Sequence, residues 1–144
     1  MPRLPYIPMP DGTPQSVIDD LPTATRIGVV DDDPSVRKAM SRLFRSCGIV
    51  CTTYESAEAA LADPDLARMH CLILDIELPK MNGFELRDHL IEIGSPIPHL
   101  FVTAHAESDY ADWDVRIRDS PYLRKPLDED ELISLINRVA GLRC

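Results

Sequence analysis

Five short apolar runs, at 27–30, 49–53, 71–74, 97–102 and 122–123, begin 22 to 26 residues apart, and segments of helical period separate them. That interval holds one strand plus one crossover helix, so the chain reads as five βα units. The runs are continuous rather than alternating, as expected for strands buried on both faces. The fold class that follows is α/β, a doubly wound (βα)5 sheet of five parallel strands with right-handed crossovers. Sheets of this kind carry their sites at the carboxyl ends of the strands.

The helix ends are also legible. Asp33-Pro34 places a capping carboxylate before a proline suited to the first helical position, and Val36, Met40, Leu43, Phe44 and Cys47 then form one apolar face before Gly48. Ser56 caps a short Ala-rich helix through Leu61. After Asn82-Gly83, Phe84, Leu86, Leu90 and Ile93 recur at helical spacing until Gly94. A fourth helical segment, 107–117, mixes Glu107, Asp109, Asp112 and Asp114 with Tyr110, Trp113, Val115 and Ile117. The last helix opens in Asp128-Glu129-Asp130-Glu131, acids that favour the positive end of the helix dipole, and buries Leu132, Leu135, Ile136 and Val139.

At 144 residues the chain is sized for one domain, 26–144, plus a tail. The tail is 1–25, which holds six of the thirteen prolines and reads as an extended, polyproline-like arm. Fifteen Lys plus Arg against twenty-four Asp plus Glu give a net charge of −9, a field that repels phosphate backbones and anionic lipid. Direct nucleic-acid binding by this chain is therefore not expected. The longest uncharged apolar run, 71–74, is far short of the ~20 residues of a membrane span. Pro2, Pro5, Pro8 and Pro10 break up the N-terminal apolar residues, so no signal peptide forms there and a cytoplasmic location is expected. Cys47, Cys51, Cys71 and Cys144 make no CxxC pair and have no histidine at metal-ligand spacing, so buried free thiols are expected.

The polar residues that end the strands carry the chemistry. Strand one runs into Asp31, Asp32 and Asp33, strand three into Asp75, strand four into Thr103 and strand five into Lys125. In a parallel sheet all of them reach one edge. Converging carboxylates repel one another unless a cation neutralises them or their pKa rises. Mg2+ suits such a set, because it prefers hard oxygen ligands and takes one or two carboxylates while keeping waters and substrate phosphate. Asp32 and Asp75 are the expected direct ligands, with Asp31 acting mainly through water and a backbone carbonyl near Glu77 completing the protein's share. Asp33 is better explained as the helix cap. Lys125 adds a second cation and Thr103 a neutral donor able to reach a phosphoryl oxygen. A site of this composition suits transfer of a phosphoryl group to a carboxylate, with Asp75 the acceptor.

These residues resemble the receiver domain of bacterial two-component response regulators. The matching stretches are Val29-Val30-Asp31-Asp32-Asp33, Leu72-Ile73-Leu74-Asp75 with Leu78-Pro79-Lys80-Met81-Asn82-Gly83 after it, Val102-Thr103-Ala104, and Lys125-Pro126, over roughly residues 26–140. The resemblance implies the flavodoxin-like strand order 2-1-3-4-5. It also implies a phosphoacceptor switch rather than an enzyme. A sensor histidine kinase or phosphotransfer protein would phosphorylate Asp75 in the presence of Mg2+, Thr103 and Tyr122 would act as switch residues, and Lys125-Pro126 would be cis. Glu77 and His105 match the positions that flank the attacking water and tune the lifetime of the aspartyl phosphate. A homodimer through the fourth helical segment, the fifth strand and the last helix is a further implication. Trp113 and its acidic neighbours, and the stretch 117–121 in place of a small-residue turn, make that surface atypical.

Ser35-Val36-Arg37-Lys38-Ala39-Met40 and Tyr54-Glu55-Ser56-Ala57 look most like receivers that precede a helix-turn-helix output domain, so the chain is read as a stand-alone receiver or the regulatory piece of a longer protein. Two rivals stand beside this reading. One is an interaction module on the same fold that is regulated without phosphorylation. The other is a small haloacid-dehalogenase-like phosphohydrolase, since Asp75-Ile76-Glu77 mimics an acid-x-acid pair. In that family, however, the nucleophile follows the first core strand.

Overall fold

The structure, a computed structural model, describes residues 24–104 and 120–141. Within them run β1 (Arg26–Val30), α1 (Pro34–Ser46), β2 (Val50–Tyr54), α2 (Ala57–Leu61), a single 3-10 turn (Leu66–Arg68), β3 (Cys71–Asp75), α3 (Gly83–Glu92), β4 (His99–Thr103), β5 (Tyr122–Arg124) and α4 (Glu129–Ala140). The strands form one sheet in the order β2-β1-β3-β4-β5, and every pair is parallel. The expected α/β fold and strand order are both present. The expected arm up to residue 23, the helical segment at 107–117, His105 and Cys144 lie outside the described residues. Among those described, no helix is long and apolar enough to cross a membrane.

The sheet is covered on both faces, which is why its strands read as unbroken apolar runs. Along β3, Leu72 and Leu74 belong to one buried cluster with residues of α2 and α3, while Cys71 and Ile73 belong to the other with residues of α1 and α4. The period of two thus divides one run between two cores.

Local chemistry sets the helix ends. The Asp33 side chain accepts from the Ser35 amide at 2.8 Å, with Pro34 in the first turn of α1. At the other end Gly48 takes φ +74°, its amide donates to the Arg45 carbonyl, and the Ile49 amide donates to the Phe44 carbonyl. Both bonds and the burial of Ile49 with Phe44 in one cluster make a Schellman closure. Ile49 therefore belongs to the helix stop, and β2 begins one residue later than its apolar pattern implies. Ile97 is likewise buried outside the ladder, and β4 begins at His99 after Pro98, which has no amide proton to donate.

One cysteine departs from expectation. Cys71 is a buried free thiol and Cys51 a half-buried one, but Cys47 is disulfide-bonded. It stands at the C-cap of α1, half-buried rather than enclosed, so its sulfur is open to a partner in a way that Cys71 is not.

Packing also fixes the loop after β3. A Cβ on Gly83 would lie 2.5 Å from the Asp75 carbonyl oxygen and 3.2 Å from the Ile76 Cα, both backbone atoms with no freedom to swing away. At Gly28 the nearest obstacle is the tip of Leu72, at 2.7 Å, which can rotate. Gly83→Ala should therefore destabilise the protein by about 1–3 kcal/mol, and Gly28→Ala by less, in urea unfolding monitored by circular dichroism. Equal stability of Gly83→Ala and the native protein would show that α3 does not press on the end of β3.

Candidate functional site

Strand register assembles the site. Val30 pairs with Leu74, so the next residues, Asp31 and Asp75, leave adjacent strands side by side. Thr103 pairs with Arg124, and the Lys125 amide then donates to the Thr103 carbonyl at 2.7 Å, which sets the lysine one step beyond the threonine. The Lys125-Pro126 peptide is cis, as the resemblance implied. On the far side of Asp75, α3 starts at Asn82 with a capping box. Its side chain accepts from the Glu85 amide at 2.9 Å, and the Glu85 carboxylate accepts from the Asn82 amide at 3.0 Å. Phe84 meets Phe101 edge-on at 4.8 Å and ties that helix to β4.

Among the described residues the buried polar side chains are Asp31 (0% exposed), Asp75 (2%) and Thr103 (2%), and all three belong to this cluster. Asp32 is exposed, and one carboxylate oxygen from each of Asp31, Asp32 and Asp75 lies within 4.8 Å of the others. Lys125 Nζ lies 2.9 Å from Asp31 Oδ2 and 3.4 Å from Asp75 Oδ2. Asp75 Oδ1 accepts from the Glu77 amide at 3.0 Å, and Asp31 Oδ1 from the Asp33 amide at 2.9 Å. The Thr103 hydroxyl donates to Glu77 Oε1.

The electrostatics follow from this crowding. Burial, the Glu77 carboxyl beside it and the charge of Asp31 push Asp75 up to about 8, although Lys125 and the Glu77 amide pull the other way. Burial lowers the Lys125 ammonium, but Asp31 and Asp75 more than offset this and hold it above its ordinary value. Asp31 Oδ2 is buried, and among the described residues the Lys125 ammonium, 2.9 Å away, is the cation that balances it.

Most of the predicted set is therefore brought together: Asp31, Asp32, Asp75, Thr103, Lys125 and Glu77. Tyr122 opens β5 opposite Phe101 and is half-buried against the cluster that contains Phe84. Two contacts were not foreseen. Arg37 Nη1 donates to the Asp31 carbonyl at 2.7 Å and holds the acidic loop from one turn into α1. Glu77 meets Thr103 through its carboxylate as well as flanking Asp75 through its backbone. The capping box could have been read from Asn-x-x-Glu at 82–85; neither of these two contacts has a comparable sequence signature.

A family model described as the response regulator receiver domain matches residues 27–137. The chain belongs to the response regulator receiver domain family. The response regulator protein TodT of Pseudomonas putida is 34% identical over 119 residues, covering 83% of this chain and 52% of that protein. The DNA-binding transcriptional regulator NtrC of Salmonella typhimurium is 33% identical over 112 residues, 78% of this chain and 24% of its own length. The chain thus spans about half the length of TodT and about a quarter of NtrC. Among solved structures, the response regulator receiver protein from Burkholderia phymatum superposes with a TM-score of 0.69 at 35% identity, over 83% of this chain and 98% of that one. The response regulator StyR gives 0.72 at 33%, over 84% and 61%.

Receiver domains are phosphoacceptor switches rather than enzymes of the ordinary kind, and they take their phosphoryl group from histidine kinases. They bind Mg2+ at an acidic cluster, and the residues here fit one. Asp31, Asp32 and Asp75 offer hard oxygens close together, and the single Lys125 ammonium beside Asp31 and Asp75 leaves these three carboxylates with an excess of negative charge that a divalent cation would neutralise.

The raised Asp75 has a consequence for stability. A carboxyl that titrates near 8 in the fold and near 3.8 in the open chain takes up a proton on folding. The cation-free protein should therefore lose stability as pH rises from about 4 to about 8. Asp75→Asn removes that loss. Chemical denaturation in EDTA should show the variant gaining on the native protein by about 1 kcal/mol or more between about pH 5 and about pH 8. A pH-independent gap would mean that Asp75 is ionised in the fold throughout.

Proposed function

We propose that the chain is a phosphorylatable receiver of a two-component system, with 26–144 as the receiver and 1–25 as an arm outside it. It takes a phosphoryl group from a sensor histidine kinase or phosphotransfer protein onto Asp75. The observation that carries this reading is the convergence of Asp31, Asp32 and Asp75 with Lys125 and Thr103 at the carboxyl edge of the sheet. A phosphohydrolase reading gains no support from the topology, since the candidate nucleophile follows β3, the central strand, with the acidic pair on β1 beside it.

In the proposed reaction a carboxylate oxygen of Asp75 attacks the phosphorus of the donor. The phosphorus bond to the donor nitrogen or oxygen breaks, and an aspartyl phosphate forms. Asp31, Asp32, Asp75 and the Glu77 carbonyl would hold Mg2+, which when bound supplies positive charge to the phosphoryl oxygens. Lys125 offsets the charge that develops from the side of Asp31, and its ammonium is already held within 3.4 Å of the acceptor. The acceptor must be ionised to attack, so a bound cation and Lys125 together draw down an acid that burial raises.

Thr103 is the proposed switch donor. In the unphosphorylated state its hydroxyl is engaged by Glu77, so turning it toward a phosphoryl oxygen requires that bond to be given up. Tyr122, half-buried at the start of β5, would then move into the space the threonine leaves. Glu77 and His105 would tune the lifetime of the aspartyl phosphate. The response passes to a partner protein or an attached output domain, and a homodimer through β5, α4 and the segment at 107–117 is one way to present it.

Acetyl phosphate with Mg2+ should add one phosphoryl group to the native protein and none to Asp75→Asn, as read by intact mass spectrometry. Equal phosphorylation of the variant would remove Asp75 from the role. Lys125→Ala should still bind the metal but fail to show the amide chemical-shift response to beryllofluoride at Thr103 and Tyr122. A normal response by that variant would count against the lysine as the link between phosphoryl group and switch.

A further inference from the structure

The chain as a whole carries −9, yet α1 holds Arg37, Lys38, Arg42 and Arg45 and no acidic residue. Positions 37, 41 and 45 and positions 38 and 42 are four residues apart, so they form one stripe along the helix. The opposite face, with Met40 and Phe44, is buried in the core. Together with Ser41 and Thr53 the four cations line a groove of about 380 Å3 between α1 and the edge strand β2.

Two observations set this groove apart from an ordinary solvated face. Lys38, Arg42 and Arg45 are exposed and make no ion pair with a carboxylate of the described residues, so no acidic side chain among them neutralises the stripe. Arg37 is half-buried and anchored, its Nη1 donating to the Asp31 carbonyl at 2.7 Å, which fixes the N-terminal end of the stripe. The lining is otherwise two hydroxyls. It contains no aromatic ring to stack a base and no aliphatic side chain such as Leu, Ile or Val to hold an acyl chain. What it offers is positive charge and donors over two helical turns, about 12 Å.

We propose that this groove binds a linear chain of phosphates, carried by inorganic polyphosphate or by a nucleotide, at a site separate from the acidic edge of the sheet. Guanidinium groups suit phosphate oxygens because they donate in pairs from a planar fork, and three of the four cations are arginines.

The test is an NMR titration of the full chain carrying Asp75→Asn, without Mg2+, using sodium tripolyphosphate in one arm and ATP in the other. The proposal predicts saturable one-site shifts at the amides of α1 and at Thr53, weakening as salt is added. Arg42→Ala/Arg45→Ala should bind at least about tenfold more weakly. Arg68→Ala, which removes an exposed arginine elsewhere, should change affinity less than about twofold. Equal affinity in the two arms assigns recognition to the phosphate chain alone, and tighter ATP binding assigns the source to a nucleotide; either supports the site. It is overturned by a lack of saturation at millimolar tripolyphosphate, by shifts centred on Thr103 and Lys125, by an equal loss in Arg68→Ala, or by tighter binding of a polyglutamate peptide at the same amides.

Discussion

Lys125 Nζ sits within 2.9 Å of Asp31 and 3.4 Å of Asp75, and this one ammonium is what allows two carboxylates to stand almost out of solvent on neighbouring strands. Stripped of it, the acids would face each other across a medium that screens poorly. With it, the balance is still incomplete: Asp32 adds a third carboxylate and Glu77 a fourth, and Asp75 is pushed toward protonation. A site in this condition is primed for a small, hard cation and for a phosphoryl group that brings its own anionic oxygens into the reach of lysine and threonine.

The rest of the fold serves that crowding. Parallel register places Asp31 beside Asp75 and Thr103 just before Lys125, and four strands deliver their ends to one edge. Helices α1 and α3 then pin the loops that follow. Asp33 caps the first and Asn82 the second, and Gly83 allows α3 to start against the backbone of Asp75 and Ile76. Asp31 and Asp75 are held in place by backbone amides, and the Asp31 backbone by the Arg37 guanidinium, so the positions of these two acids do not depend on the cation that relieves them.

Much of this was legible in the sequence because it rests on local rules. Period and spacing revealed five strands and their crossovers; Asp33-Pro34, Ser56 and Asp128 marked helix starts, and all three act as caps. The resemblance added the strand order, which no local signal encodes. What the pattern misjudged were apolar residues buried for a different reason. Ile49 closes a helix and Ile97 precedes a proline, and an apolar run cannot tell such burial from a strand. Cys47 looked like its apolar neighbours but stands half-exposed at a helix end. Within the site, residue identities were readable but the contacts between Glu77 and Thr103, and between Arg37 and Asp31, were not, because each depends on a side-chain conformation set by tertiary packing.

If the edge of the sheet is a cage of acids waiting for a divalent ion, that ion must bind the folded chain and stabilise it. The most direct measurement is the thermal unfolding midpoint as Mg2+ is raised at constant ionic strength. The account predicts a rise with the logarithm of Mg2+ concentration above the dissociation constant, and its loss in Asp32→Asn. An unfolding midpoint indifferent to Mg2+, or an equal rise in that variant, would contradict it.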